Sequence, residues 1–296
     1  MTTVLVIGAA GAVGTMLADL VERGGQRVTR VDCRPDPGRA RHQQWDILTP
    51  PPEAEQLCAQ VCEVILALPE AVAVKAIPWL ATHLAPDATL IPTCSVQAPF
   101  FNALKRHGAP QRCAGINPMF SPSLGAEGRP VAICVEADEQ PVHWIEGVLV
   151  QAGMKLHRML PTTHDELMAR CQALPHAAIL AFGLALANSK VDLKLLATIA
   201  PPPMRMMMAL LSRVLVNPAQ VYWDIQSEND HAKGARAALR VGLEQVTSIV
   251  DCQQEDEFCR TLETVAQALG EQLPAGAEQC HHLFGALNEF DSMKND

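Results

Sequence analysis

Apolar and polar positions divide the chain into two halves with different periods. Thr3–Ile7 is a short apolar run, followed by glycines and then by Met16, Leu17, Leu20 and Val21 at helical spacing. Gly24-Gly25 ends that helix, and Arg27–Val31 reads as a second strand. Val61–Leu68 and Ala88–Pro92 read as two more strands, with a helix over Ala71–Leu84 between them. Val131–Val135 and Met154–Leu156 continue the series. Strands alternating with helices of this length predict an α/β fold with a parallel, doubly wound sheet and right-handed crossovers.

Past about Thr162 the strand signal disappears. Asp165–Leu186 is a long apolar-periodic stretch, followed by Leu193–Ile199 and then by Pro201-Pro202-Pro203. Met204–Leu215, Ala232–Ile249 and Glu255–Leu269 also carry helical spacing. The expected division is therefore 1–161 for the α/β domain and 162–296 for an all-α domain. Within the latter, Ala177–Ala187 is more apolar than one amphipathic face requires. Such a helix wants burial on all sides, which predicts a homodimer through the helical domain.

Composition narrows the partners. A formal net charge of −9 argues against a nucleic-acid binder, while a few local arginines still allow an anionic small molecule. No uninterrupted apolar stretch reaches the roughly 18 residues of a membrane span. The start, Met1-Thr2-Thr3, shows no basic export segment, so a cytoplasmic, membrane-free protein is expected. Ten scattered cysteines without a Cys-x-x-Cys pair read mostly as small buried hydrophobes and suggest no metal site.

The most specific local signal is Gly8-Ala9-Ala10-Gly11-Ala12-Val13-Gly14, which follows a predicted strand and opens a predicted helix. Glycines let backbone N–H groups approach a pyrophosphate, and the helix start adds positive partial charge. Asp32 ends the second strand, where a carboxylate accepts hydrogen bonds from a ribose diol. Candidate cofactor contacts are thus Gly8, Ala10, Gly11, Ala12, Val13, Gly14, Asp32 and Arg34. Asp32 favours NAD over NADP, although Arg34 could face a 2′-phosphate. The loop alone names a cofactor class, since sugar-nucleotide epimerases share the spacing. Those need a Tyr-x-x-x-Lys pair; the only tyrosine, Tyr222, is followed four residues on by Gln226.

Further segments carry a resemblance: Cys94-Ser95-Val96, Gly115-Ile116-Asn117-Pro118-Met119-Phe120, Thr163-His164-Asp165, Ala173-Leu174-Pro175-His176, and Met204-Arg205 through Ser212-Arg213. With the glycine loop, Tyr222-Trp223-Asp224-Ile225 and Glu228-Asn229, their order resembles the prephenate dehydrogenase family over nearly the whole chain. The resemblance implies a Rossmann-type domain, a helical dimerisation domain, and NAD-dependent oxidative decarboxylation of a cyclohexadienyl dicarboxylate. It implies that Ser95 sits beside the reacting C4 substituent and that His164 and His176 line the substrate pocket. Arg213 pairs with a substrate carboxylate, and Arg205 supports that region. Arg205 and Arg213 project about 80° apart on one helix, and arginine forks suit carboxylates. Plainer roles stay open: a buried structural histidine for His176, a helix-start residue for His164, an ion pair for Arg205.

Two of these motifs depart from the family, and Pro175 replaces a basic residue common before the pocket histidine. The family's His-Pro-Met-Phe-Gly-Pro motif reads Asn117-Pro118-Met119-Phe120-Ser121-Pro122 here, and its Ser-Val-Lys reads Ser95-Val96-Gln97. The family histidine takes the proton from the 4-hydroxyl; an amide has no useful basicity, and losing a general base typically costs about 10²–10⁴-fold. Either the chain is a weakened or non-catalytic relative, or its substrate differs. An amine at C4 expels hydride by its own lone pair, and Asn117 accepts its hydrogen bond without charge. The reading favoured is 4-amino-4-deoxyprephenate going to 4-aminophenylpyruvate, with ordinary prephenate or arogenate as the alternative. Ser95 and Asn117 are then the catalytic candidates, with Gln97 among the substrate contacts.

Overall fold

The computed structural model describes residues 3–136 and 142–295. The chain forms two compact units: Met1–Ala169 with Trp223–His231, and Arg170–Tyr222 with Ala232–Asp296.

The first unit is built on six parallel strands: β1 (Thr3–Ile7), β2 (Arg27–Asp32), β3 (His42–Gln44), β4 (Glu63–Leu66), β5 (Thr89–Pro92) and β6 (Arg112–Cys113). Their order, β3-β2-β1-β4-β5-β6, is the Rossmann order. Strands β1, β4 and β5 are buried almost throughout, as parallel strands covered on both faces must be. The period of two in β1 separates the two cores. Val4 and Val6 face a core with Leu17 and Val21 of α1 (Ala12–Arg23). Leu5 and Ile7 face Ile77 and Leu80 of α3 (Glu70–His83), over α2 (Pro52–Cys58), with Phe100 of α4 (Ala98–His107) in the same core.

The expectation of a single parallel sheet needs correction. β7 (Gly115–Pro118), β8 (Pro130–Cys134) and β9 (Lys155–Met159) form a separate mixed sheet, with β7 and β8 antiparallel. The turn from one sheet to the other falls at Ala114–Gly115, where Gly115 has no Cβ because the Gln97 amide occupies its place; a Cβ would lie 1.9 Å from Gln97 Oε1. Ile116, Val131 and Ile133 then join the core on the α1 side, together with Ile145 of α5 (His143–Gln151). Strands β3 and β6 had little sequence signal, being a short polar edge and a two-residue strand.

The helical half runs through α6 (Pro161–Met168), α7 (Leu174–Asn188), α8 (Leu193–Ile199), α9 (Pro202–Val216), α10 (Ala219–Ser227), α11 (Ala232–Asp251), α12 (Glu255–Leu269) and α13 (Gln272–Asn295). Between α6 and α7 lies a π-turn, Ala169–Ala173. Pro175 lacks the N–H that a regular helix would direct to Cys171, so the ladder slips there. By length and composition alone, the helical run Pro161–Asn188 could cross a membrane, a feature that a search for uninterrupted apolar residues overlooks. The second unit's own core is small: Ile179, Leu211, Val214 and Tyr222, with Gly183 admitting Leu211 closely. Many of its large apolar residues stay exposed, among them Leu184, Leu243, Val246 and Leu262.

Candidate active site

The glycine loop is fixed by backbone packing. Gly8 has φ +84°, and a Cβ there would lie 2.1 Å from the Ala67 carbonyl oxygen. A Cβ on Gly14 would lie 2.1 Å from the Gly8 oxygen. Neither neighbour can yield, so both positions demand glycine. Gly11 is looser, 3.3 Å from the same oxygen, and serves as the N-cap of α1 without a side-chain cap. First-turn N–H groups lack intrahelical acceptors, so those of Ala12, Val13 and Gly14 remain open to an anion.

Asp32, at the end of β2, is almost fully buried. Its Oδ2 accepts the Ala10 N–H at 3.0 Å, and its Oδ1 accepts the Arg34 N–H at 2.9 Å and Nε at 3.1 Å. Burial alone would raise its pKa, but the Arg34 guanidinium and the two backbone N–H donors outweigh that, and the carboxyl is held below its ordinary range. The expected role of Ala10 therefore changes: its N–H is committed to Asp32 and braces the acid instead of meeting a phosphate. The Arg34 guanidinium stays largely exposed and reaches toward Gly11.

At the carboxyl end of β5 the chain passes through half-buried Ser95 into α4. This loop is held by two acids. Glu70 Oε1 accepts the Val96 N–H at 2.5 Å, and the Asp165 carboxylate accepts the Gln97 and Ala98 N–H groups at 2.7 and 2.8 Å. Asp165 thus caps α4, which has no side-chain cap of its own. Burial pushes Glu70 up to about 8, opposed by the Val96 N–H and reinforced by the neighbouring carboxylates of Asp224, Asp165 and Glu228. Gln97 corrects an expectation. Its side chain is fully buried, donates to the Cys94 carbonyl at 2.6 Å and packs on Gly115, so it ties the loop to β7 and presents no face to a substrate.

Asn117, on β7, and His164, on α6, are brought together. Asn117 Nδ2 lies 3.0 Å from His164 Nε2, and His164 Nδ1 lies 2.7 Å from Asp165 Oδ1. His164 is fully buried and Asn117 nearly so. Asn229, in the segment after α10, donates to the Asp165 backbone carbonyl at 2.8 Å.

The remaining candidates belong to the second unit. His176 is half-buried on α7 and meets Tyr222 edge to face, with ring centroids 4.9 Å apart. Burial, and then the positive charge of Arg213, depress its pKa and favour the neutral ring. Arg213 is exposed on α9 and makes no ion pair among the described residues. Arg205 lies on the same helix, and its guanidinium donates to the Leu287 carbonyl at 2.9 Å, a structural tie to α13.

Sequence reasoning missed Asp165, Glu70 and Asn229 as site residues. Asp165 stood beside His164 in Thr163-His164-Asp165, and Glu70 stood as a first-turn acid of a helix, so each left a signal that a search for substrate contacts passed over.

Strand order, glycine loop and the acid ending β2 define a Rossmann-fold protein with a helical unit added. Residues 160–264 match a family model described as prephenate dehydrogenase, dimerization domain. A 4-amino-4-deoxyprephenate dehydrogenase of Streptomyces pristinaespiralis is 38% identical over 287 residues, covering 96% of this chain and 97% of the relative. A T-protein of Enterobacter agglomerans is 26% identical, over 97% of this chain and 72% of its own. Among solved structures, a prephenate dehydrogenase from Aquifex aeolicus in complex with hydroxyphenyl propionate and NAD+ superposes with TM-score 0.66 at 19% identity, covering 90% of this chain and 97% of that one. A Synechocystis arogenate dehydrogenase gives TM-score 0.65 at 19% identity, with coverages of 90% and 98%. This chain belongs to the prephenate dehydrogenase family.

Proposed function

We propose that this protein catalyses the NAD-dependent oxidative decarboxylation of 4-amino-4-deoxyprephenate to 4-aminophenylpyruvate and CO2. The observation that carries the reading is Asn117, an amide at the position where the family resemblance places a proton-accepting histidine. A hydroxyl substrate needs its proton drawn off as hydride leaves C4, and an amide cannot do this. His164 does not substitute for the missing base, since it is fully buried with both ring nitrogens engaged, one of them by Asn117 itself. An amine is the stronger electron donor and keeps both of its protons through the reaction. The 38% identity to a 4-amino-4-deoxyprephenate dehydrogenase supports the same substrate.

The residues present fit a dinucleotide. Gly8, Gly11 and Gly14 keep the loop free of side chains, the first turn of α1 offers uncapped N–H groups, and Asp32 is held ionised for a ribose diol. Bound there, NAD supplies the hydride acceptor. The protein's own part is orientation and electrostatics. In the first unit Ser95 and Asn117 suit the C4 substituent; in the second, neutral His176 and the exposed Arg213 guanidinium suit a carboxylate. Loss of CO2 from C1 makes the ring aromatic and the reaction effectively irreversible.

The family match over 160–264 and the exposed apolar residues of the helical unit support a homodimer. The apolar run Pro161–Asn188 lies wholly within that match, so a second copy, and not a bilayer, is its occupant. Only Cys58, Cys94 and Cys134 are buried, fewer than expected, and the exposed cysteines Cys33, Cys62, Cys171, Cys252, Cys259 and Cys280 are free thiols, which suits a cytoplasmic protein. The test is product analysis. Incubation with NAD and 4-amino-4-deoxyprephenate should yield 4-aminophenylpyruvate, CO2 and reduced cofactor in equal amounts; absence of the aromatic amine would refute the reading.

A further inference from the structure

The two nitrogens of the buried His164 ring face partners of opposite kind. Nδ1 lies 2.7 Å from a carboxylate oxygen of Asp165, and Nε2 lies 3.0 Å from the amide nitrogen of Asn117. A carboxylate only accepts, so Nδ1 carries the proton; an amide nitrogen only donates, so Nε2 is bare. Asp165 is itself immobilised, because its carboxylate takes the Gln97 and Ala98 N–H groups at 2.7 and 2.8 Å and its carbonyl takes the Asn229 amide at 2.8 Å. The chain of bonds therefore has a direction, running from the start of α4 through Asp165 and His164 to Asn117. Turning the Asn117 amide over would set its oxygen against a bare ring nitrogen, two buried acceptors with no proton between them.

We propose that His164 is a positioning residue: held in its Nδ1–H form by Asp165, it fixes the Asn117 amide so that Oδ1 is the acceptor offered to the substrate's amine. The inference rests on the amino-substrate reading given above. Its chemical consequence is specific. An amine that donates one N–H to Oδ1 gains electron density and keeps its lone pair free to expel hydride from C4. An amide turned the other way would donate to that lone pair and oppose the step. The site thus does more than lack a base, because its buried hydrogen bonds select the orientation of the amide that helps an amine react.

The test combines a spectroscopic and a kinetic arm. In 15N NMR of histidine-labelled protein, with His164→Gln used to assign the signal, His164 should be protonated at Nδ1 and bare at Nε2. A proton on Nε2 would overturn the fixed amide. On 4-amino-4-deoxyprephenate, His164→Leu should lose about tenfold in kcat, the weight of one oriented hydrogen bond, with KM changed less than about twofold. His164→Gln can donate to Asp165 and accept from Asn117, and should stay within about threefold of the wild type. Should the Leu variant fail to fold, the Gln variant and the NMR signal decide. Wild-type kcat in a folded Leu variant, or a Gln variant as impaired as Leu, would overturn the proposal. A wild-type protein that leaves the amino substrate untouched refutes the function instead; the ring proton is read independently of turnover.

Discussion

At the residue scale, the site contrasts groups that titrate with one that cannot. Asn117 carries the substrate preference. Asn117→His should raise kcat/KM for prephenate relative to the amino substrate by about 10²-fold, the lower end of what a general base contributes. An unchanged ratio would show that Asn117 is not the discriminator. Glu70 provides a test by pH. Its folded pKa of about 8 exceeds the ordinary 4.5, so as pH rises the unfolded chain ionises first, and stability falls between those two values. Glu70→Gln keeps an acceptor for the Val96 N–H but cannot ionise. Its melting temperature relative to the wild type should therefore climb from about pH 5 to about pH 8; a constant difference would place the ionised form in the fold.

At the element scale, the loop between β1 and α1 separates two functions of glycine. Gly14→Ala drives a Cβ into the Gly8 carbonyl, 2.1 Å away, and should lower the melting temperature by several degrees. Gly11→Ala meets the Gly8 carbonyl oxygen at 3.3 Å, a tight contact that must open by a few tenths of an ångström. It should melt below the wild type but well above Gly14→Ala while weakening NAD, because a methyl group then stands where the pyrophosphate approaches. Calorimetry of both variants, folded and titrated with NAD, distinguishes them; equal NAD affinity for Gly11→Ala and wild type would contradict the assignment. These elements were also the most legible in the sequence. Strand β1, the helix after the loop, α8 and α12 follow from periodicity and glycine punctuation because local pattern decides them. Strand β7 did not, although it bears Asn117, since four residues ending in proline give no period to read. Likewise, the inward turn of Gln97 depends on the space at Gly115, and the Asp165 cap on α4 joins residues 68 and 67 positions apart, which no local window contains.

At the scale of the whole molecule, the α/β unit supplies a large core while the helical unit leaves apolar residues open. Leu243 on α11 is 67% exposed and Leu262 on α12 is 56% exposed. A second copy covering such positions removes apolar surface from water, and symmetry places each substitution in the interface twice. The protein should sediment as a dimer, and the double variant Leu243→Glu, Leu262→Glu should shift toward monomer; a monomeric wild type would contradict the dimer. The sequence conveyed the excess of apolar residues in Ala177–Ala187, but burial inside one chain and burial between two leave the same pattern.

The central claim concerns what the amide at position 117 is for, and it is tested most directly by kcat/KM for two substrates under identical conditions with NAD. The amino substrate should exceed prephenate by about 10²-fold or more, the value of the absent base. Efficient oxidation of prephenate, with the amino analogue slower or inert, would contradict the account.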